Sequence, residues 1–175
     1  MLVAAALFAG LPDARVAAQS SLENTVKAAY LSKLAAFVDW PASSFETPAS
    51  PLRVCVIGDD PFKFELDRAV AGLMVAGRPV QAARFATAEA NMACQVAYVA
   101  GSAAQSRADA LKTLQGQPVL TVTDQKPSDP PGEQGIVSFV VKENRVRFQI
   151  DESKAVADRL VLSGKLLSLA LEVRR

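Results

Sequence analysis

The sequence predicts a single α/β domain of three layers, in which a mostly parallel central sheet is flanked by helices and followed by a C-terminal β-hairpin. Short β-branched apolar runs alternate with amphipathic segments up to residue 123, which is typical of parallel strands joined by helices. From residue 136 the pattern changes to two alternating strands around a short polar turn, which indicates a hairpin. The length of 175 residues suits one domain, and the sequence shows neither repeats nor an internal domain boundary.

The N-terminal segment has the pattern of an export signal. Residues 1–11 form an uncharged apolar run, and residues 16–18 are small, as is typical before a cleavage site. We therefore expect residues 1–18 to be a signal peptide that is cleaved before Gln19, and residues 19–175 to be the exported domain. The alternative is a frayed tail or a short helix at a membrane surface.

The first element of the exported domain is predicted to be an amphipathic helix. Ser20 and Glu23 have the spacing of a capping box, so we expect the helix to begin there. Apolar residues at intervals of three or four predict one core-facing side: Leu22, Val26, Ala29, Tyr30, Leu34, Phe37 and Val38. Trp40 and Pro41 are expected to end the helix, because a residue before proline is disfavoured in the helical conformation.

Strands and helices then alternate. The apolar runs at 52–58, 94–100 and 118–123 indicate buried strands, and residues 80–85 indicate a weaker one. Asp60 and Pro61 are the residue types of a helix N-cap and first helical position, so a helix is expected from there to about Gly72. Another helix is expected from about Ser102 to Gln115.

The C-terminal part is predicted to be a loop, a hairpin and two helices. Residues 124–135 are rich in proline and glycine and form a long loop, and residues 136–141 and 145–150 flank a turn at 142–144. The second hairpin strand alternates between an apolar inward side and a polar outward side: Val146, Phe148 and Ile150 against Arg145, Arg147 and Gln149. Asp151 is expected to cap a helix through Asp158. A final helix is predicted from its apolar side: Leu166, Leu169, Ala170 and Val173.

The composition limits the classes of function. Lysine and arginine number 19 against 18 acidic residues, without a basic run, so nucleic acid is a poor partner. Histidine is absent, which removes the commonest general base, the commonest zinc ligand and any serine–histidine or cysteine–histidine pair. We therefore expect a protein that is not an enzyme and that needs neither a cofactor nor a metal.

The two cysteines, Cys55 and Cys94, are too far apart in sequence for a redox or zinc motif. In an oxidising compartment the natural interpretation is one long-range disulfide. The alternative is a pair of free thiols that act as small core residues, since both lie in apolar runs.

An acidic pair, Asp59 and Asp60, follows the strand at 52–58, and Asp124 follows the strand at 118–123. Ligands of open α/β sheets bind at such strand ends, so these carboxylates define a candidate ligand crevice. The alternative is that Asp59 and Asp60 are a turn residue and a helix cap. A phospho-receiver domain would need an acceptor carboxylate at the end of the strand at 94–100, and the sequence there has none.

Several segments, in order along the chain, together resemble the YfiR family of periplasmic regulators. They are residues 26–37 (VKAAYLSKLAAF) followed by Trp40-Pro41, residues 54–62 (VCVIGDDPF), residues 77–80 (GRPV), Cys94, residues 118–124 (PVLTVTD), residues 145–150 (RVRFQI) and residues 164–170 (GKLLSLA). Two features depart from the family pattern. Gln149 stands where members commonly carry glutamate, and the second cysteine pair that some members hold around residues 124–136 is absent.

The resemblance implies an α/β protein, often dimeric, that acts as a negative regulator in the periplasm. Such proteins bind the periplasmic part of an inner-membrane diguanylate cyclase of the YfiN type and keep it inactive, which lowers cyclic di-GMP and biofilm formation. An outer-membrane lipoprotein of the YfiB type sequesters the repressor. The resemblance also implies a disulfide between Cys55 and Cys94.

The candidate partner-binding surface is the hairpin, with Phe139, Arg145, Arg147 and Gln149. The alternative for this segment is a solvated hairpin with Phe139 in the core. The alternative function is that of a periplasmic small-molecule sensor, or an adaptor for another membrane signalling protein, which would use the crevice at Asp59, Asp60 and Asp124.

Overall fold

An eight-stranded sheet forms the centre of the protein. The computed structural model describes residues 14–126, 128–130 and 132–175, so residues 1–13 of the predicted signal peptide lie outside the described part. The helices are α1 (Ala14–Leu34), α2 (Phe64–Val70), α3 (Arg107–Leu114), α4 (Glu152–Ala157) and α5 (Gly164–Leu169). The strands are β1 (Val38–Asp39), β2 (Leu52–Gly58), β3 (Met74–Val75), β4 (Arg78–Phe85), β5 (Val96–Gly101), β6 (Leu120–Asp124), β7 (Val137–Lys142), β8 (Arg145–Asp151), β9 (Val161–Leu162) and β10 (Glu172–Arg174).

The sheet is mostly parallel, with the order β10-β8-β7-β6-β5-β2-β4-β3. Adjacent strands from β4 through β2, β5 and β6 to β7 run parallel, whereas β8 is antiparallel to β7 and β3 is antiparallel to β4. β10 pairs in parallel with β8, and β1 and β9 form a separate antiparallel pair. The predicted α/β fold with a C-terminal hairpin is confirmed.

Helices cover both faces of the sheet, which gives the predicted three layers. In β2, Val54 and Val56 belong to the core shared with α1 and α2, while Cys55 and Ile57 belong to a second core that includes α3. A strand that is buried on both faces needs apolar residues at consecutive positions. This requirement explains why the sequence of β2 is a continuous apolar run.

The bounds of α1 differ from the prediction at both ends. The helix begins at Ala14, so Ser20 lies inside it and the expected start at Ser20 is wrong. The Glu23 side chain pairs with Lys27 one turn later. The helix ends at Leu34, and residues Ala35–Phe37 form a 3-10 turn. Val38 then lies in β1, because it pairs with Leu162 of the distant β9.

The helices after β2 and β5 are shorter than predicted. Asp60 caps a turn, since its Oδ1 accepts hydrogen bonds from the amides of Phe62 at 2.7 Å and Lys63 at 3.1 Å. Pro61 therefore lies outside α2, which begins at Phe64. Similarly, α3 begins only after Ser106, whose side chain accepts a hydrogen bond from the amide of Asp109.

The C-terminal elements contain two strands that the sequence does not predict, β9 and β10. Glu143 and Asn144 have φ values of 51° and 59°, so they form a two-residue turn, and β7 extends to Lys142. The predicted cap at Asp151 is confirmed, because its side chain accepts a hydrogen bond from the amide of Lys154. The expected final helix ends at Leu169, and Val173 instead pairs with Ile150 in β10.

The two cysteines form the predicted disulfide. Cys55 in β2 and Cys94 before β5 have Cα atoms 6.0 Å apart, and both side chains are buried in the core on the α3 face. The bond fastens the segment before β5 to the neighbouring strand β2 and closes a loop with a sequence separation of 39. The alternative of two free thiols is therefore wrong.

Candidate functional site

The hairpin of β7 and β8 presents two different faces. The inward face of β8 carries Phe148 and Ile150, which are buried in the core beside α1. The outward face carries the exposed side chains of Arg145 and Arg147, as the alternating sequence pattern predicts. The core thus holds the strand in place while its polar side chains face the solvent.

Phe139 lies on the inward face of the hairpin. It is 1% exposed, and its ring centroid lies 6.0 Å from that of Tyr30 in α1. Its position in β7 is directly opposite Phe148, so both rings point at α1. The prediction that Phe139 contacts a partner directly is therefore corrected in favour of the core interpretation, and the surface retains Arg145, Arg147 and Gln149.

Three cations lie close together at the end of the hairpin. Lys142 stands directly opposite Arg145 across the two strands, and Arg147 is the next outward residue along β8. Within the part of the chain that the structure describes, none of the three forms an ion pair. Like charges that face each other across two strands disfavour the pairing, so this arrangement carries a small cost in stability.

Exposed apolar side chains border these cations on two sides. Leu22 of α1 is 66% exposed and Val141 of β7 is 51% exposed, and both line a cavity of about 380 Å³ between the helix and the hairpin. Arg145 and Arg147 also line a second cavity of about 310 Å³ on the opposite side of β8, together with Leu169 and Leu171. Arginine is enriched at protein interfaces, so exposed arginines beside exposed apolar side chains form a surface suited to binding another protein.

Gln149 differs from the two arginines because its side chain is already engaged. Its Nε2 donates a hydrogen bond to Glu172 Oε2 at 3.0 Å, which helps to hold β10 against β8. A glutamate at this position would place two carboxylates side by side. The contact with Glu172 therefore explains why this chain has glutamine at position 149, where family members commonly have glutamate.

The carboxylates of the alternative crevice are bound to separate cations. Asp60 Oδ2 accepts a hydrogen bond from Arg84 Nε at 2.7 Å, and Asp124 Oδ2 accepts one from Lys27 Nζ at 2.8 Å. Asp59 is exposed, and its amide donates to the carbonyl of Gly101.

The topological switch point of the sheet lies between β2 and β5, and the ligand crevice would lie there. The space is narrow because the backbones of Gly58 and Gly101 meet at this point. A Cβ atom on Gly58 would lie 2.5 Å from the Gly101 carbonyl oxygen. The small residues at this point therefore serve the close approach of two strands.

A buried polar network at the ends of β5 and β6 is not evident from the sequence. Lys27 is 4% exposed and lies between the carboxylates of Glu23 and Asp124. Burial, with a smaller contribution from the charge of Asp124, raises the pKa of Tyr98 above its ordinary range. The partners are far apart in the chain, and the amphipathic pattern of α1 gave no signal that Lys27 would be buried.

Arg107 fixes the long loop after β6. Its Nη1 donates to the carbonyl oxygen of Asp124 at 3.3 Å and to Asp129 Oδ2 at 3.2 Å, and it lies 3.7 Å from Glu133. The loop between β6 and β7 is thus tied to the first residue of α3. This arrangement connects the polar network to the strand that carries the hairpin.

The comparison with protein families finds a match over most of the chain. A profile described as YfiR/HmsC-like matches residues 24–171, from within α1 to the residue before β10, and the match includes both cysteines and the hairpin. A search of curated proteins finds no match. Across residues 14–126, 128–130 and 132–175, no helix has the length and apolar character that a membrane crossing requires. The chain belongs to the YfiR/HmsC-like family, and this membership suggests a periplasmic regulator of cyclic di-GMP signalling.

Proposed function

We propose that this protein represses an inner-membrane diguanylate cyclase of the YfiN type by binding its periplasmic region through the hairpin surface. The hairpin surface comprises Lys142, Arg145, Arg147 and Gln149 with the neighbouring apolar residues Leu22 and Val141. The observation that carries the proposal is the group of cations that face one another without an anionic partner among the described residues. An acidic surface on the cyclase would neutralise them.

Repression requires that the protein bind the inactive form of the cyclase more tightly than the active form. A ligand shifts a conformational equilibrium only by its difference in affinity for the two states. A shift from 1:99 to 99:1 in favour of the inactive form requires a preference of about 10⁴-fold. The hairpin surface is suited to this role because the sheet and the core shared with α1 fix its shape before binding.

The same proposal places the protein in the periplasm after removal of residues 1–18, without catalytic activity of its own. Release of the cyclase is proposed to follow when an outer-membrane lipoprotein of the YfiB type sequesters the repressor. A homodimer is proposed as the form that binds. Cys55 and Cys94 would support the fold, since both are buried away from solvent.

Charge reversal tests the hairpin surface directly. We expect Arg145→Glu/Arg147→Glu to abolish capture of the purified periplasmic region of the cyclase encoded by the same organism, because the variant would repel an acidic partner. The matched control is Lys33→Glu/Lys112→Glu, which gives the same change in net charge at two exposed residues outside the hairpin. If both variants bind as the wild type does, the hairpin is not the contact surface.

A further inference from the structure

The outer edge of β8 is only partly covered. β10 pairs with Gln149, Ile150 and Asp151, and the last contact before it is the hydrogen bond from the Leu171 amide to the Phe148 carbonyl oxygen at 2.8 Å. Helix α5 ends at Leu169, two residues before this contact, so this part of the chain does not run along residues 145–147. Among the strands that the structure describes, none pairs with the outer edge of β8 at residues 145–147.

The backbone groups of Val146 point toward this open edge. In antiparallel strands, residue pairs alternate between those that bond to each other and those whose amides and carbonyls face outward. Phe148 and its opposite residue Phe139 belong to the outward type, because their carbonyl oxygens accept from Leu171 and Gln125 respectively. Two positions further along, Val146 and Val141 are of the same type.

The side chains around the open edge favour an anionic, partly apolar occupant. Arg145 and Arg147 are two residues apart and lie on one face of β8, with Lys142 opposite Arg145. Leu169 is 57% exposed and Leu171 is 45% exposed, and both line the cavity of about 310 Å³ beside this edge. The edge thus combines free backbone groups, cations and apolar contacts in one place.

We propose that an extended acidic segment of the protein partner adds to the sheet as a strand along β8 at Val146. The inference rests on the proposed function, and it specifies how the hairpin surface recognises its partner. The backbone of the segment pairs with the amide and carbonyl of Val146. Carboxylates at alternate positions of the segment lie on the same face as Arg145 and Arg147, because side chains two apart in a strand share a face. An apolar residue of the segment contacts Leu169 and Leu171.

Backbone pairing distinguishes this partner from a nucleic acid or any other polyanion. Phosphates would neutralise the arginines, but they offer no donor for the carbonyl of Val146. An extended peptide offers a donor and an acceptor in the same register, as in other cases where a strand adds to a sheet edge.

The first test uses short peptides and the isotope-labelled exported chain. We expect a capped Glu-Val-Glu-Val-Glu peptide to shift the amide resonances of Val146 and Phe148 and to bind more weakly at high salt. The same peptide with alternate N-methylated residues, which lacks the donors for pairing, is expected to bind about tenfold more weakly. Equal affinity of both peptides, or binding of a Lys-Val-Lys-Val-Lys peptide instead, would overturn the proposal, as would tighter binding of a single-stranded oligonucleotide.

The second test uses proline at two outward-facing positions on the two edges of the sheet. Val146→Pro removes the amide at the open edge without removing a bond between β7 and β8. Met74→Pro is the matched control, because β3 is the strand at the other edge of the sheet and the amide of Met74 faces away from β4. We expect Val146→Pro to reduce binding of the cyclase region and of the peptide at least about tenfold, and Met74→Pro to retain both.

The outcomes separate the two proposals. If Val146→Pro binds the cyclase region normally while Arg145→Glu/Arg147→Glu does not, the proposed function stands and strand addition is wrong. If neither variant affects capture, the proposed hairpin surface is wrong as well. Circular dichroism and the melting temperature of each variant establish that a loss of binding is not a loss of folding.

Discussion

Lys27 is the residue that connects α1 to the end of β6. Its ammonium group is buried between Glu23 on the same helix and Asp124 at the end of β6. A charge in the interior requires such partners, because its removal from water is costly. Asp124, which the sequence suggested as a ligand-binding residue, therefore has a structural partner within the chain.

The first prediction concerns this ion pair. We expect Lys27→Met to lower the free energy of unfolding by about 2–3 kcal/mol, since it leaves two partly buried carboxylates without their cation. Urea unfolding of residues 19–175 measures the change. Lys33→Met, at an exposed lysine of the same helix, is expected to stay within about 0.5 kcal/mol of the wild type.

A double-mutant cycle checks the cause of that effect. Lys27→Met/Asp124→Asn should lose less stability than the sum of the two single variants, because the two residues share one interaction. Strict additivity would contradict the assigned role of the pair.

The second prediction concerns Asp158, a buried carboxylate that accepts a hydrogen bond from the Gly116 amide at 2.7 Å. Burial raises its pKa above the ordinary value, so the fold favours the protonated form. The charged form therefore costs stability at neutral pH, and this cost disappears as the pH falls below the ordinary carboxyl range.

We expect Asp158→Asn to melt at a higher temperature than the wild type at pH 7, because asparagine retains an acceptor for Gly116 without the charge. The difference in melting temperature should shrink as the pH is lowered. Asp39→Asn, at an exposed carboxylate of β1, is expected to show no difference at either pH. A melting temperature for Asp158→Asn below that of the wild type at pH 7 would contradict this account.

At the scale of elements, the strands were predicted best where burial decides the sequence. β2 was predicted with the observed bounds, because a strand covered on both faces must be apolar at consecutive positions. The hairpin was also predicted, since one buried face imposes alternation on β8. In both cases the residues whose pattern predicts the element lie within that element.

The failures concern elements that depend on distant partners. β10 contains Glu172 and Arg174 and shows no strand pattern, and it is a strand because it pairs with β8. The early end of α1 has the same cause, since Val38 pairs with β9. Likewise, the sequence predicts the exposure of Arg145 and Arg147 correctly but wrongly places Phe139 on the partner surface, because alternation in β7 alone leaves open which side faces α1.

The third prediction concerns the disulfide, which joins two elements of the core on the α3 face. We expect Cys55→Ala/Cys94→Ala to lower the free energy of unfolding by about 4 kcal/mol or less, as expected from the closure of a loop of this length. Urea unfolding with and without a reducing agent measures the effect. The reductant should destabilise the wild type toward the variant and leave the variant unchanged. Equal stability of both proteins under oxidising conditions would show that the bond contributes nothing.

At the scale of the whole molecule, the parts are arranged so that a rigid domain presents one exposed hairpin. The two cores, the disulfide and the Lys27 network fix the sheet, while Arg145 and Arg147 remain without ion-pair partners in the described residues. A protein that acts by binding needs this combination of a fixed shape and an unsatisfied surface. Family membership and surface chemistry thus support the same role.

The most direct test of the central claim is the cellular level of cyclic di-GMP in a strain that lacks the gene, complemented with the wild type or with Arg145→Glu/Arg147→Glu. We predict that the deletion raises cyclic di-GMP, that the wild type restores the low level, and that the charge-reversed variant does not, although it is exported and folded. An unchanged level of cyclic di-GMP on deletion, with the wild-type protein shown to be expressed in the periplasm, would contradict repression of a diguanylate cyclase.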